Sequence, residues 1–345
     1  MACPHPGEQR VRAAGLAALL IVGALSGCGG ATGASPARGA RFSPYADVSL
    51  SPPLNLAQAQ RATGLQAVDL AFVVGSGRGC VPGWGGGLAL DTPAIASEIT
   101  RLRATGAAVA LSFGGRDGPD LATRCPSPAA LAGAYARALD AYGARRADFD
   151  IEGSALAHGG LLDRRARAIA VLQAHERSRG RPLAVTLTLP GAPDQGLTAA
   201  GVNAVRAAQS AGVAVGEVNV LAMDYGDGAA PSPAGRMGAY AAQTAMRVHV
   251  QLHPLLPGLA DRALWARQGV TVMAGVNDVS DEVFTPADAT TLLAFGRRVG
   301  LGGVSEWSLP RDRPCPPGSP PRAQPDCSGV AQAPFAFARR LVAYR

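Results

Sequence analysis

The sequence of 345 residues contains no lysine, so all 32 of its basic residues are arginines. These arginines are spread along the chain singly and in pairs, without a long basic run. Although the formal net charge is +7, nucleic-acid binding normally requires a clustered basic stripe, so we expect no nucleic-acid partner. Hydrophobic residues make up 48% and charged residues 17% of the chain, which indicates a globular protein with a sizeable core.

The N-terminus has no apolar run long enough to span a bilayer. Arg10 and Arg12 precede an apolar segment, residues 13–25, which is too short for a stable spanning helix. A Leu-Ser-Gly-Cys sequence follows, ends at Cys28, and resembles the bacterial lipoprotein cleavage box. We therefore expect residues 1–27 to be a lipoprotein signal peptide and Cys28 to be lipidated. The alternative is an ordinary secreted protein that is cleaved nearby.

The domain organisation follows from a change in composition after this signal. Residues 28–43 are rich in Gly, Ala, Ser, Arg and Pro, which is typical of a flexible tether. Residues 44–345 show no second compositional block and are expected to form a single domain. The protein is expected to be exported, either as a membrane-anchored lipoprotein or secreted, and the lipid is its only expected membrane contact.

The cysteines of the mature chain lack the neighbours of a metal site. No CxxC pair and no paired histidines accompany them, so a metal site is disfavoured and we expect no cofactor. Export favours disulfides instead, and four cysteines allow three connectivities. Cys80 and Cys125 each lie in a loop after a predicted strand, and Cys315 and Cys327 flank a Pro-rich loop. We expect Cys80–Cys125 and Cys315–Cys327.

Short β-rich segments alternate with helical segments along the domain. Helix starts are indicated by Ser or Thr followed by Pro at Thr92, Ser127 and Thr285. The predicted strands are Tyr45–Leu50, Val68–Val74, Ala107–Phe113, Ala147–Glu152, Leu183–Leu189, Val218–Met223, Val270–Val276 and Gly303–Ser308. Eight such units in one compositional block predict an α/β fold, a single (β/α)8 TIM barrel. An open doubly wound sheet is the alternative.

The fourth predicted strand contains three carboxylates in alternation, Asp148, Asp150 and Glu152. On a strand these side chains share one face, with Phe149 and Ile151 on the other. Carboxylates stacked in this way repel one another and are costly to bury. An active site explains this arrangement better than the alternative, an edge strand with a solvated acidic face.

Catalytic residues of such barrels lie at the C-terminal ends of the strands. This rule nominates Glu152 after strand four, residues 112–115 after strand three, residues 223–225 after strand six, and Trp307 after strand eight. The residue pattern and the barrel rule therefore point to one end of the barrel.

These segments resemble the motifs of glycoside hydrolase family 18, the chitinases, over residues 44–345. Residues 111–115 (LSFGG) resemble the S-x-G-G signature, and residues 148–152 (DFDIE) resemble the D-x-x-D-x-D-x-E motif. Residues 223–225 are similar to the strand-six Met-x-Tyr segment. Within the family, the sequence resembles the compact bacterial secreted chitinases, without the small α+β insertion of processive ones. Arg145 departs from the pattern, because it stands where the motif has its first Asp.

The resemblance implies a role for each conserved position of the motif. Glu152 would be the general acid and base, and Asp150 would orient the 2-acetamido group of the sugar, which is the nucleophile. Asp148 would share a proton with Asp150, and Tyr225 would donate its hydroxyl to the acetamido oxygen. The remaining positions that match the motifs are expected to bind substrate: Trp307, Met223, Asp224, Ser112, Gly114 and Gly115. Independently of the resemblance, Trp84 is a candidate for an outer subsite, because an exposed Trp in a Gly-rich loop such as residues 83–87 is unusual unless it meets a ligand.

The implied activity is hydrolysis of β-1,4 N-acetylglucosamine linkages in chitin or chito-oligosaccharides by a retaining, substrate-assisted mechanism. The expected partner is such an oligosaccharide, and the expected oligomeric state is a monomer. Aromatic residues form only 5% of the chain, which suggests few stacking subsites and a shallow cleft. The alternatives are an endo-β-N-acetylglucosaminidase on glycoprotein glycans and a non-catalytic chitin-binding barrel.

Overall fold

The structure is a computed structural model that describes residues 42–77 and 79–344. In chain order its strands are β1 (Tyr45–Asp47), β2 (Ala67–Gly75), β3 (Pro82–Trp84), β4 (Leu88–Ala89), β5 (Ala108–Gly114), β6 (Arg146–Asp150), β7 (Ala184–Ala192), β8 (Gly196–Leu197), β9 (Val215–Leu221), β10 (Gln268–Met273), β11 (Gly275–Val276), β12 (Val283–Phe284) and β13 (Gly303–Trp307). Eight of them pair in parallel in the order β1-β2-β5-β6-β7-β9-β10-β13. The expected (β/α)8 fold is confirmed.

A backbone contact between the two ends of this sheet closes the barrel. Phe42 forms a parallel bridge with Val304, and the Ser43 amide donates to the Val304 carbonyl oxygen at 3.3 Å. The Ser305 hydroxyl donates to the Ser43 carbonyl oxygen at 2.5 Å. The first and last barrel strands are therefore joined by the residues that immediately precede β1.

Helices connect the strands and cover the outside of the barrel. They are α1 (Leu56–Thr63), α2 (Pro93–Ala104), α3 (Leu121–Arg124), α4 (Pro128–Tyr142), α5 (Gly153–Ala157), α6 (Gly159–Ser178), α7 (Ala199–Ser210), α8 (Met237–Leu255), α9 (Asp261–Trp265), α10 (Pro286–Val299) and α11 (Ala336–Leu341), with a 3-10 turn at Leu309–Arg311. The predicted starts at Thr92, Ser127 and Thr285 are confirmed. Thr285 and Asp288 form a full capping box, which satisfies two amides at the start of α10.

Aromatic packing fixes which face of β6 points into the barrel. Phe149 stacks on Phe113 with ring centroids 5.4 Å apart and meets the edge of Tyr135 on α4 at 5.0 Å. Phe149 therefore faces the helical layer. Because side chains alternate along a strand, Asp148 and Asp150 face the barrel axis.

The structure differs from the predicted elements in two places that affect the site. Strand β6 ends at Asp150 rather than at Glu152, and α5 begins at Gly153. The Gly-rich segment after β2 is not only a loop, because β3 and β4 form an antiparallel hairpin on the edge of β2.

The disulfide pairing agrees with the expected one. Cys80 is bonded to Cys125, and Cys315 is bonded to Cys327. Cys28 and the predicted signal peptide lie outside the described residues. Within residues 42–77 and 79–344, no helix combines the length and the apolar character needed to cross a membrane.

Candidate active site

The three carboxylates of the acidic motif lie along the barrel axis at increasing height. Asp148 and Asp150 are both on β6 and are only 3% exposed. Glu152 follows β6 in an extended conformation and is half-buried. The sequence pattern predicted that Glu152 lies on the strand. In the structure it lies in the turn that leads from β6 into α5.

Asp148 is held by three hydroxyl groups. Ser112 donates to Oδ2 at 2.6 Å, Tyr45 donates to Oδ2 at 2.9 Å, and Thr188 donates to Oδ1 at 2.6 Å. Burial raises the pKa of Asp148, and these three hydrogen bonds oppose that rise. Both carboxylate oxygens of Asp148 thus accept hydrogen bonds from hydroxyl groups. We expected Asp148 and Asp150 to share a proton, but no hydrogen bond joins the two carboxyl groups.

Asp150 is in the opposite situation. Its Oδ1 atom is buried and has no hydrogen-bond partner within the described residues. Burial raises the pKa of Asp150 well above its ordinary range, and the charges of Glu152 and Asp148 raise it further. The Oδ1 atom is therefore buried without a hydrogen-bond donor, which is unusual unless a ligand supplies one.

The pKa of Glu152 is raised to about 7, chiefly by burial. Asp224, Asp117 and Asp278 raise it further, whereas Arg116 lowers it. Burial and the acids of the surrounding loops therefore cause this rise. A carboxyl with a pKa near neutrality can donate and accept a proton at physiological pH.

The S-x-G-G segment, residues 112–115, contacts the carboxylate strand β6 from the neighbouring strand β5. Ser112 is fully buried and contacts Asp148. Gly114 and Gly115 have φ values of +106° and +82°, and a Cβ on Gly114 would lie 2.1 Å from the carbonyl oxygen of Asp150. A Cβ on Gly115 would lie 2.7 Å from the ring of Phe72. Ser112, Gly114 and Gly115 therefore position the acids and the aromatic floor, and the substrate-binding role expected for them stays a prediction.

The loop after β9 places Met223, Asp224 and Tyr225 beside the acids, and all three are half-buried. The carboxylate of Glu282 accepts hydrogen bonds from the amides of Tyr225 at 3.0 Å and of Gly226 at 2.7 Å. Glu282 is only 1% exposed and was not singled out by the sequence. Because it lies 57 residues away from Tyr225 along the chain, no local pattern identifies it.

Asp224 joins the β9 loop to the loop after β10. Its φ of +53° is left-handed, and Oδ1 accepts hydrogen bonds from the amides of Asp278 at 2.7 Å and Val279 at 3.2 Å. Asp278 in turn forms an ion pair at 2.5 Å with Arg116, from the loop after β5. Loops from three strands therefore meet around Glu152, and we call this group of Arg116, Glu152, Asp224 and Asp278 the mouth.

Trp307 forms an aromatic floor with two residues that the sequence did not identify. It is half-buried and stacks on Phe72 with centroids 5.2 Å apart and an interplanar angle of 20°. Its edge meets Tyr45 at 6.2 Å, and Tyr45 also binds Asp148. A flat, partly exposed aromatic surface thus lies next to the carboxylates.

Trp84 does not contribute to this surface. It lies on β3, is fully buried, and its Nε1 atom donates to the Tyr142 hydroxyl at 3.0 Å. The outer-subsite role expected for Trp84 is therefore wrong. The Gly-rich sequence around it predicts an open loop, but pairing with β2 and packing on α4 bury the side chain.

A second polar region lies at the N-terminal end of the barrel axis. A cavity of about 30 Å³ is lined there by polar groups that include Asp69, Arg146 and Glu217. Burial raises the pKa of Asp69 to about 7, although the charge of Arg146 opposes this rise. Arg146 also opposes the rise that burial causes in the pKa of Asp148. Arg145, the residue that departs from the family motif, is exposed on the outside.

The mouth combines a group that can donate and accept a proton with a neighbouring buried carboxyl. Within the part of the chain that the structure describes, no group of three or more His, Cys, Asp or Glu side chains is placed to hold a metal ion. Glu152 supplies a titratable group near neutrality, Asp150 supplies a buried acceptor, and Trp307 supplies a surface for a ring.

Comparisons with known proteins give a consistent result. Active domain 2 of the chitinase from Pyrococcus furiosus is 31% identical, with a TM-score of 0.77 over 88% of this chain and 94% of that one. "Probable bifunctional chitinase/lysozyme" from Escherichia coli strain K12 and "Endochitinase 11" from Metarhizium anisopliae are each 34% identical over 79% of this chain. The chain spans 31% and 52% of the length of these two curated relatives. No protein-family model matches the chain.

Proposed function

Because this chain belongs to the chitinases of glycoside hydrolase family 18, we propose that it hydrolyses the β-1,4 linkages between N-acetylglucosamine units in chitin or chito-oligosaccharides. The observation that carries this proposal is the half-buried carboxyl of Glu152, with a pKa of about 7, next to the unpartnered carboxyl of Asp150. The same Pyrococcus furiosus domain, as catalytic-site mutants, has been solved in complex with chito-oligosaccharides, which supports this substrate class.

In the first step of the proposed reaction, protonated Glu152 donates its proton to the glycosidic oxygen. The acetamido oxygen of the same sugar attacks C1 as the C1–O bond breaks, so that an oxazolinium ion forms and the leaving sugar departs as an alcohol. Asp150 accepts a hydrogen bond from the acetamido N–H. This hydrogen bond and the developing positive charge lower its raised pKa, so that the carboxylate forms and stabilises the oxazolinium ion. The hydroxyl of Tyr225 donates to the acetamido oxygen and aligns it for the attack.

In the second step, Glu152 is a carboxylate and removes a proton from a water molecule. The water oxygen attacks C1, the bond from C1 to the acetamido oxygen breaks, and the product retains its anomeric configuration. Glu152 is then protonated again and ready for the next cycle. Trp307 provides the surface under the distorted sugar, and Met223 and Asp224 line the same subsite.

Replacement of the acid tests this proposal most directly. Glu152→Gln should lower kcat on chito-oligosaccharide reporters by about 10²- to 10⁴-fold, because the amide cannot deliver a proton, while oligosaccharide binding and the thermal unfolding midpoint stay close to wild type. Asp163→Asn, which alters an exposed carboxyl on α6, is the matched control and should keep full activity.

The same assay separates the alternatives. A wild-type protein that binds chito-oligosaccharides without cleaving them would show a binding module instead of an enzyme. Faster release of glycans from glycoproteins would favour an endo-β-N-acetylglucosaminidase, and faster cleavage of peptidoglycan would favour the second activity in the name of the Escherichia coli relative. Either result would replace chitin as the substrate.

We also propose that the protein is exported and that Cys28 carries a lipid. The support is the sequence alone, since Cys28 lies outside the described residues. The measurement is membrane fractionation of the wild type and of Cys28→Ser in the producing cells, together with metabolic labelling by a fatty acid. A wild-type protein that takes up no label would contradict the proposal.

A further inference from the structure

The N-terminal end of the barrel, opposite the mouth, carries a group of arginines from the last turns of three helices. All of them are exposed. They are Arg61 on α1, Arg297 and Arg298 on α10, and Arg339 and Arg340 on α11. We call this group the arginine patch. In the sequence these residues are single or paired, so that only the fold shows that they belong together.

Hydrogen bonds and packing bring the three helix ends together. The Arg339 guanidinium donates from Nε to the carbonyl oxygen of Ala62, in the last turn of α1, at 3.3 Å. Arg297 donates to the carbonyl oxygen of Ala343, just after α11, at 2.8 Å. The ends of α1, α10 and α11, which carry these arginines, are therefore in contact with one another.

Among the described residues, no ion pair offsets this charge. Within residues 42–77 and 79–344, none of the five arginines takes part in an ion pair. The three helices contain one carboxylate, Asp288, which is buried in the capping box at the far end of α10. Stabilisation of helix dipoles explains arginines in the last turn of a helix, but it does not require three such ends to converge without any acid.

The two ends of the barrel carry different charged groups. Asp117, Asp224 and Asp278 surround Glu152 at the mouth. At the other end, the carboxylates of Asp69 and Glu217 line the axial cavity together with Arg146, and the helices around them present the arginine patch. Asp140 and Glu176, in the last turns of α4 and α6, also lie at this end but pair with Arg179 and Arg181. Among the described residues, the arginine patch takes part in no such ion pair.

The polypeptide enters the barrel beside this patch. Phe42 pairs with Val304, five residues after the end of α10 at Val299. The sequence from Cys28 to Phe42 contains Arg38 and Arg41 and no Asp or Glu. This segment has 14 peptide units, which reach at most about 50 Å when fully extended. A surface to which Cys28 is attached would therefore lie within reach of the patch.

We propose that the arginine patch docks the protein on an anionic phospholipid surface and directs the mouth away from it. Clustered arginines attract anionic lipid headgroups, and the attraction falls within one Debye length of the surface, about 10 Å at 0.1 M salt. Neutral N-acetylglucosamine polymers offer no partner for this charge, so the patch has a role distinct from substrate binding. The lipid on Cys28 and the patch would then act as two membrane signals, neither of which is strong alone.

The test uses a soluble version, residues 35–345, which lacks Cys28 so that no lipid contributes, and it measures sedimentation with vesicles. The wild type should bind vesicles containing phosphatidylglycerol and not pure phosphatidylcholine, and salt should release it. The variant R61Q/R297Q/R298Q/R339Q/R340Q should lose this binding, by about fivefold for each arginine that reaches the surface. Its chitinase activity and unfolding midpoint should remain those of the wild type, because the patch is remote from the mouth.

Two control variants distinguish a docking surface from net charge or a folding defect. The first changes five exposed arginines on separate elements to Gln, and should retain binding: Arg137, Arg167, Arg206, Arg247 and Arg322. The second changes the five patch residues to Lys and should also retain binding. Equal losses in the dispersed and patch variants, or no binding of the wild type at low salt, would overturn the proposal. Stronger retention on purified peptidoglycan than on vesicles would overturn it as well.

Discussion

Two carboxylates on one strand, two residues apart, have opposite surroundings. Asp148 accepts hydrogen bonds from Ser112, Tyr45 and Thr188, and Arg146 lies near enough to lower its pKa. Asp150 is equally buried, but its Oδ1 atom has no partner within the described residues. Burial alone therefore does not distinguish the two; the difference lies in the hydrogen bonds that each one receives.

This difference separates a carboxylate that serves the fold from one that serves a ligand. A buried carboxylate with three hydroxyl donors is fixed in orientation before any substrate arrives. A buried carboxyl without a donor raises the free energy of the folded protein, unless a bound molecule supplies the missing hydrogen bond. In the proposed reaction, the acetamido N–H of the substrate is that donor.

Among the variants that test the comparison of Asp148 with Asp150, the largest effect is expected from Asp150→Asn. The variant cannot stabilise the oxazolinium charge, so kcat should fall by about 10²- to 10³-fold. The effect on stability should be different from the effect on kcat. Because the pKa of Asp150 is higher in the folded state than in the unfolded state, the wild type loses free energy of unfolding as the pH rises above the unfolded pKa of about 3.9. The variant should thus be at least as stable as the wild type at neutral pH. Denaturant unfolding at acidic and neutral pH, together with kcat, measures both effects.

A smaller effect is expected from Ser112→Ala, which should affect stability more than catalysis. The loss of one donor to Asp148 should lower the free energy of unfolding by about 1–3 kcal/mol. It should lower kcat by about tenfold or less, because only part of that energy is expressed in the transition state. Ser97→Ala, on the exposed side of α2, is the control. An unchanged unfolding free energy for Ser112→Ala would contradict the assignment of Asp148 to the fold.

The smallest effect concerns the pH profile. Glu152 must be protonated to donate, so kcat/KM should decrease as the pH rises through about 7. Since Arg116 lowers this pKa and Asp278 raises it, Arg116→Ala should move the alkaline limb to higher pH and Asp278→Asn to lower pH. Both shifts should stay below about one pH unit, because the pair is half exposed and screened by salt. Shifts in the same direction would show that Glu152 is not the titrating acid.

The parts of the fold that local chemistry determines were accessible from the sequence. The inward face of β6 follows from the alternation of Asp148, Phe149 and Asp150, and the start of α10 follows from Thr285 and Asp288. Both signals lie within a few residues, so they do not depend on the rest of the fold. The barrel then follows from the repetition of such units.

The features that the sequence did not show depend on contacts between distant residues. Trp84 is buried by Tyr142, 58 residues away, although its Gly-rich neighbours predict exposure. Glu282 supports the Tyr225 loop from a separate strand connection, and the arginine patch assembles from three helices. The end of β6 at Asp150 depends on its pairing with β7, and the last pair between the two strands joins Asp150 and Thr188.

The closing contact of the barrel constrains the order in which the chain can fold. The hydrogen bond between Ser43 and Ser305 joins residues 262 positions apart, so the first strand to be synthesised must wait for nearly the whole chain before its outer edge is covered. Long-range pairings of this kind slow folding and leave strand edges open in the meantime. A chain truncated before β13 would therefore keep an unpaired edge on β1 and the opposite edge on β10, and would be prone to aggregation.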